Sequence, residues 1–156
     1  MITATRFHDF SYGHRVYGHE NKCKSLHGHN GRVHFTCQSM NFHAPLDPLG
    51  RVSDFGFIKT RLCEWVEHNW DHKFLLWEQD PMRFLSIPLN VETNVAFAES
   101  IVTLPVNPTA ENMARFLLYS VGPLCLKGTG VVLTKVVMEE TRKCSATAEL
   151  DAIPVE

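Results

Sequence analysis

The sequence predicts an α+β fold, a four-stranded antiparallel sheet with two helices packed on one face. Three observations lead there: alternation of apolar and polar residues near both ends of the chain, two runs of helical period between them, and strands that follow one another in adjacent pairs. At 156 residues the chain can bury the core of one ordinary domain and is short for two, so residues 1–156 are expected to form a single unit.

Residues 2 to 13 alternate around Ile2, Phe7, Phe10 and Tyr12 and read as the first strand. After the turn-rich Tyr17-Gly18-His19-Glu20-Asn21, the run Arg32 to Gln38 sets Val33, Phe35 and Cys37 on one face of a second strand. Pro45, Pro48 and Gly50 mark Asn41 to Gly50 as a loop. Ser53-Asp54 then offers a cap for a helix of about four turns, with Phe55, Ile58, Leu62, Trp65 and Val66 on its apolar face and an end near Asn69. Residues 74 to 106, punctuated by Pro81, Pro88 and Pro105, read as an elaborated connection in which only Ser100 to Leu104 looks strand-like. Asn107-Pro108-Thr109 starts a second helix, with Asn107 or Thr109 as its cap, and Gly122-Pro123 is expected to end it. The β-branched run Val131 to Thr141, a turn at Arg142-Lys143 and a last strand through Ala146 and Leu150 complete the sheet.

Hydrophobic residues make up 44% of the chain, without an apolar run long enough to span a membrane. A net charge of -2, with no Lys/Arg cluster interleaved with aromatics, gives no sign of a nucleic-acid surface. Met1 to Asp9 carries charge early and lacks a signal-peptide core, so a cytoplasmic protein is expected. The cysteines, Cys23, Cys37, Cys63, Cys125 and Cys144, are scattered and form no C-x-x-C pair, which argues against a disulfide framework or a cysteine-only zinc site.

Chemistry concentrates in Lys22 to Asn30, K-C-K-S-L-H-G-H-N. On an extended backbone His27 and His29 project to one side and can share a cation. A zinc site takes four ligands when structural, or three and an open position when catalytic. His14, in F-S-Y-G-H, is the nearest candidate for the third. Such a site leaves a position for water or substrate, with the Cys23 thiol nearby as a reactive group.

His14, Cys23 ahead of His27-Gly28-His29-Asn30, Val52-Ser53-Asp54-Phe55, Asp71-His72, Pro108-Thr109-Ala110-Glu111-Asn112 and Glu140-Thr141 occur in that order. In this the chain resembles the 6-pyruvoyltetrahydropterin synthase / 6-carboxytetrahydropterin synthase family from about residue 5 to about residue 150. The resemblance implies a tunnelling fold, with trimers whose sheets close into a barrel and two trimers stacked as a homohexamer. It implies Zn2+ held by His14, His27 and His29, a proton-abstracting Cys23, a relay pair Asp71 and His72, and a pterin bound by Glu140 with Thr141 and Thr109. The three residues between Cys23 and His27 look like the 6-carboxytetrahydropterin branch of queuosine and deazapurine synthesis; the 6-pyruvoyl branch typically has a wider gap. Gly31 stands where an aromatic usually follows H-G-H-N, Trp70 where leucine is more common, and residues 74–106 are unaccounted for.

The implied substrate is 7,8-dihydroneopterin triphosphate, converted to 6-carboxy-5,6,7,8-tetrahydropterin with release of acetaldehyde and triphosphate. The pterin supplies its own reducing equivalents, so no organic cofactor is expected. Neutral histidine ligands would leave the metal its full charge for stabilising developing alkoxide and enolate. A carboxylate matches the donor edge of a pterin with two parallel hydrogen bonds. Glu140 suits that task, because Glu139 points to the other face. Asp71 can orient an imidazole, but adjacent side chains need not face each other, which leaves open a relay between His72 of one subunit and an acid from elsewhere.

Taken singly, these residues have plainer readings. His27 and His29 can be exposed strand residues, Cys23 an inert thiol, Asp71-His72 the polar end of a helix and Glu140 a solvated strand residue. For Asp54 and Glu111 the plainer readings, a cap and a favourable charge at a helix start, are preferred. Two rival functions stand beside the carboxy-forming lyase: a 6-pyruvoyl-forming enzyme with the same site, and a non-catalytic pterin or metal-binding module.

Overall fold

Alternation builds the first ladder. Strand β1, Ala4–His14, buries Ala4, Phe10, Tyr12 and His14 and turns Thr5, Phe7 and Asp9 to the other face. Strand β2, His27–Ser39, runs antiparallel to it from Ala4 opposite Cys37 to His14 opposite His27. The strand thus begins at His27 rather than at Arg32, and the extra pairs bring the histidines to one end of the ladder. The computed structural model describes residues 2–40, 47–84 and 91–152. Part of the loop expected over Asn41 to Gly50 lies outside these residues, as does Pro88.

The sheet departs from the expected four antiparallel strands. Among the described residues it has six, in the order β4-β3-β1-β2-β5-β6, with β3 at Lys73–Trp77, β4 at Ile101–Leu104, β5 at Val131–Thr141 and β6 at Cys144–Glu149. β1, β2, β5 and β6 form the antiparallel part, whereas β3 pairs parallel with β1 and β4 parallel with β3. Parallel neighbours need crossover connections, and helical segments supply them: α1 over residues 55–69 precedes β3, and α2, Val91–Ser100, lies between β3 and β4. β3 is a short unbroken apolar run, Phe74-Leu75-Leu76-Trp77, without the alternation that marks a half-exposed strand.

Asp54 caps α1 by accepting a 2.7 Å hydrogen bond from the Gly56 N–H, and Thr109 caps α3 through a 3.2 Å bond from the Asn112 N–H. Helix α3 spans residues 110–126 and does not stop at Gly122-Pro123. A widened π turn over Leu117–Val121 lets the Gly122 N–H reach back to the Leu117 carbonyl, a setting that tolerates a following proline without an N–H. Ile58, Leu62 and Val66 of α1 and Met113, Leu117 and Val121 of α3 share one core with Val33, Phe35, Val136 and Met138.

The departures at Trp70 and Gly31 are explained by this core. Trp70 is fully buried against Phe10, Trp65 and Phe116, filling a larger space than leucine would. At Gly31 a Cβ would lie 2.8 Å from Cε1 of Tyr12, so the aromatic ring comes from the neighbouring strand.

Two irregularities aim the end of β5. The register against β2 shifts between Thr36 and Cys37, so Leu133 and Val136 both face the core and the later parity places Met138 inward. A second shift, against β6, falls between Glu139 and Thr141 and takes Glu140 off the ladder. Bulges of this kind re-aim side chains at sheet ends. Glu139 faces away and pairs with His34 at 2.6 Å.

Candidate metal centre

The end of the β1/β2 ladder collects His14, His27 and His29, with one ring nitrogen from each lying within 4.8 Å of the others. His14 is completely buried, and its Nδ1 lies 2.7 Å from the Pro108 carbonyl just ahead of α3. His27 places Nδ1 2.7 Å from the Ser25 carbonyl. A carbonyl only accepts, so both Nδ1 atoms carry hydrogen, and in the neutral rings the Nε2 atoms hold lone pairs. Those Nε2 atoms are 3.0 Å apart. His29 Nε2 is buried without a hydrogen-bond partner among the described residues. Oε1 of Glu140 lies 3.4 Å from His14 Nε2 and 3.6 Å from His29 Nε2. His14 and His27 thus turn two acceptors toward each other with no donor between them, an arrangement that a shared cation relieves, so this set of side chains fits a metal ion.

Burial pushes the His14 imidazole down to about 4, the Pro108 carbonyl opposes that, and the neighbouring His27 and His29 add to the depression. The ring therefore stays neutral, as a metal ligand must. For the metal-free protein the sign follows directly. Between the ordinary value near 6.5 and the folded value near 4, the unfolded chain takes up a proton that the folded chain refuses. Stability is complete above that window and falls as pH drops through it, by about 3 kcal/mol from this ring. Urea unfolding of chelator-treated protein near pH 7 and near pH 5 should show the lower midpoint at the acid end.

The other predicted residues are distributed around this cluster. Asp71 and His72 face each other, a contact that adjacency alone does not require: Asp71 accepts hydrogen bonds from the Ser11 N–H at 2.8 Å and from His72 Nδ1. The physical reason is His72's left-handed backbone, φ 55°, which turns the chain from α1 into β3 while the His72 N–H donates to the Ser11 carbonyl. Burial opposes ionisation of Asp71, but the Ser11 N–H and the His72 ring hold its carboxyl below the usual range. His72, 80% exposed, lines a groove of about 670 Å³ together with His27, His29, Phe74 and Phe97. Cys23 is half-buried in the tight turn Lys22–Lys24, its carbonyl accepting from the Val16 N–H, and is not among the groove's lining residues. The Thr109 hydroxyl caps α3, and that of Thr141 accepts from the Lys143 N–H.

Sequence reasoning missed several supports. The Pro108 and Ser25 carbonyls leave no side-chain signature. Tyr12, whose hydroxyl is buried without a hydrogen-bond partner among the described residues, packs against His14 and His29. Gly13 is needed because Phe74 of β3 would lie 2.5 Å from a Cβ there.

An α+β sheet that ends in three convergent imidazoles defines a known class: residues 3–151 match the model of the 6-pyruvoyl tetrahydropterin synthase family, and the chain belongs to that family. Among its relatives are proteins named 6-carboxy-5,6,7,8-tetrahydropterin synthase from Rickettsia bellii and Rickettsia typhi. Each is 35% identical over 144 residues, covering 92% of this chain and 97% of the relative. In solved structures the fold is similar to an uncharacterized protein from Wolinella succinogenes, at TM-score 0.78 and 24% identity over 95% of this chain and 97% of that one. It is also similar to 6-pyruvoyl tetrahydropterin synthase from Caenorhabditis elegans, at TM-score 0.62 and 22% identity over 96% of both chains. Among the described residues no helix is long and apolar enough to cross a membrane.

Proposed function

We propose that this protein is a zinc-dependent lyase that converts 7,8-dihydroneopterin triphosphate to 6-carboxy-5,6,7,8-tetrahydropterin, releasing acetaldehyde and triphosphate. The observation that carries this reading is the convergence of His14, His27 and His29 in a chain about one-third identical to relatives of that name. The product would serve queuosine or deazapurine synthesis in the cytoplasm, and the working unit would be a homo-oligomer, a trimer or hexamer.

In this reading His14, His27 and His29 hold Zn2+, which as a Lewis acid stabilises negative charge developing on the substrate side chain. Glu140 receives the donor edge of the pterin, with Thr141 and Thr109 at the margin. In the same reading Cys23 is the base that removes a proton. Asp71 holds the His72 ring with Nδ1–H inward, which leaves Nε2 free to pass a proton at the groove. Phe74 and Phe97 give the groove apolar walls suited to a flat heterocycle.

Mass spectrometry of the product, with acetaldehyde assayed in parallel, tests the reaction. A 6-pyruvoyl product without acetaldehyde would replace this reading with its rival. Cys23→Ala should retain the metal and lose turnover by a factor on the order of 10²–10⁴, the usual worth of a positioned base. Full turnover by that variant would remove the thiol from the mechanism.

A further inference from the structure

His29 Nε2 and the Tyr12 hydroxyl are both buried without a hydrogen-bond partner among the described residues. A shared cation accounts for the first, because a ring nitrogen with a lone pair is a metal ligand. It does not account for the second, since the cluster that can hold a cation consists of the three imidazoles. Packing does not account for it either. The Tyr12 ring stacks on Phe10 at 5.1 Å, meets the His14 ring edge-on at 5.2 Å and lies 5.7 Å from the His29 ring, and it fills the space that a side chain at Gly31 would need. Phenylalanine would make the same contacts. With Tyr12 only 3% exposed, an unpaired hydroxyl costs free energy that phenylalanine would avoid. The Glu140 carboxylate acts on this hydroxyl electrostatically, yet no hydrogen bond joins the two. Tyr12 is also one of the residues lining the groove that His27, His29 and His72 share.

We propose that Tyr12 is a substrate-positioning residue whose hydroxyl donates a hydrogen bond to an oxygen on the side chain of the bound pterin. The inference rests on the function proposed above. The Tyr12 ring touches two of the three imidazoles, so the part of a ligand that meets the hydroxyl is the part that approaches the metal centre. In the proposed substrate that part is the side chain with its two hydroxyls. A site that holds a buried polar group ready discriminates against any ligand that leaves the group unpaired. Tyr12 therefore selects pterins with an oxygenated side chain over pterins with an alkyl one.

The test titrates zinc-loaded, full-length wild type and Tyr12→Phe with two probes: 7,8-dihydroneopterin, which carries the side-chain hydroxyls, and 6-methyl-7,8-dihydropterin, which lacks them. Removal of one neutral hydrogen bond predicts an affinity about 3–10-fold weaker for the first probe and unchanged for the second. Thermal unfolding without pterin and zinc analysis accompany the titrations. The variant should keep the wild-type zinc complement and melt no lower than the wild type. Equal weakening for both probes would give the hydroxyl to ring recognition through Glu140, and no weakening for either would leave it without a ligand. A lower melting temperature or zinc content would give it a partner in the pterin-free protein. Each of these results overturns the proposal. A wild type that binds neither probe removes the proposed function and this inference together, whereas a wild type that binds both, matched by its variant, removes the inference alone.

Discussion

His14→Ala is expected to leave a protein that retains no metal through purification and shows no measurable turnover. Loss of a supporting contact to a metal ligand costs roughly 10–100-fold in affinity, and removal of a ligand costs more. In this variant two effects combine, because His14 is fully buried and its Nδ1–H satisfies the Pro108 carbonyl. Deleting the ring strands that carbonyl, worth about 1–3 kcal/mol, and opens a cavity beside Tyr12. His27→Ala separates the effects. His27 is only half-buried and its Nδ1 partner is the carbonyl of Ser25 in the exposed connecting loop, so metal should be lost with little change in metal-free stability. Metal analysis beside chemical denaturation of the chelated proteins checks both. A full metal complement in either variant would refute the ligand assignment.

The histidines were legible because strand geometry is strictly periodic: once β1 and β2 are read as extended, His27 and His29 share a side, and His14 falls opposite His27 in the antiparallel register. The four long strands were legible from the same alternation. Glu140 was singled out only by the Glu140-Thr141 match to the family pattern, since alone it reads as a solvated strand residue, and the two register shifts near it are announced by no local pattern. The contact between Asp71 and His72 was not legible, since it depends on a left-handed backbone at a histidine, an uncommon conformation for a residue with a Cβ. β4 was legible as the strand-like stretch Ser100 to Leu104, but β3 was not, and neither had a place in the expected sheet. Each is short, and their pairing is with strands distant in the chain, so hydrogen bonds and burial that exist only in the tertiary structure decide their conformation.

The same connection hides the second large effect. Asp80, completely buried, accepts hydrogen bonds from Arg15 Nε at 2.6 Å, Arg15 Nη2 at 2.8 Å and the Met82 N–H at 2.8 Å. Arg15 follows His14 directly, and its Nη1 also reaches the Lys24 carbonyl at 3.4 Å beside Cys23. The pair therefore ties the segment after β3 to both the end of β1 and the turn that carries the thiol. Removing one partner of a buried ion pair costs about 3–5 kcal/mol, because the other charge is left without compensation. Asp80→Ala should lower Tm by about 10 °C, taking roughly 2–4 °C per kcal/mol for a chain of this size. Replacing both residues with apolar ones, Arg15→Met with Asp80→Leu, removes the stranded charge and should recover much of that loss. If Asp80→Ala melted with the wild type, the pair would hold nothing. If the double variant recovered stability yet Cys23 reacted with iodoacetamide at an altered rate, the pair's remaining role would be to position the turn that bears the thiol.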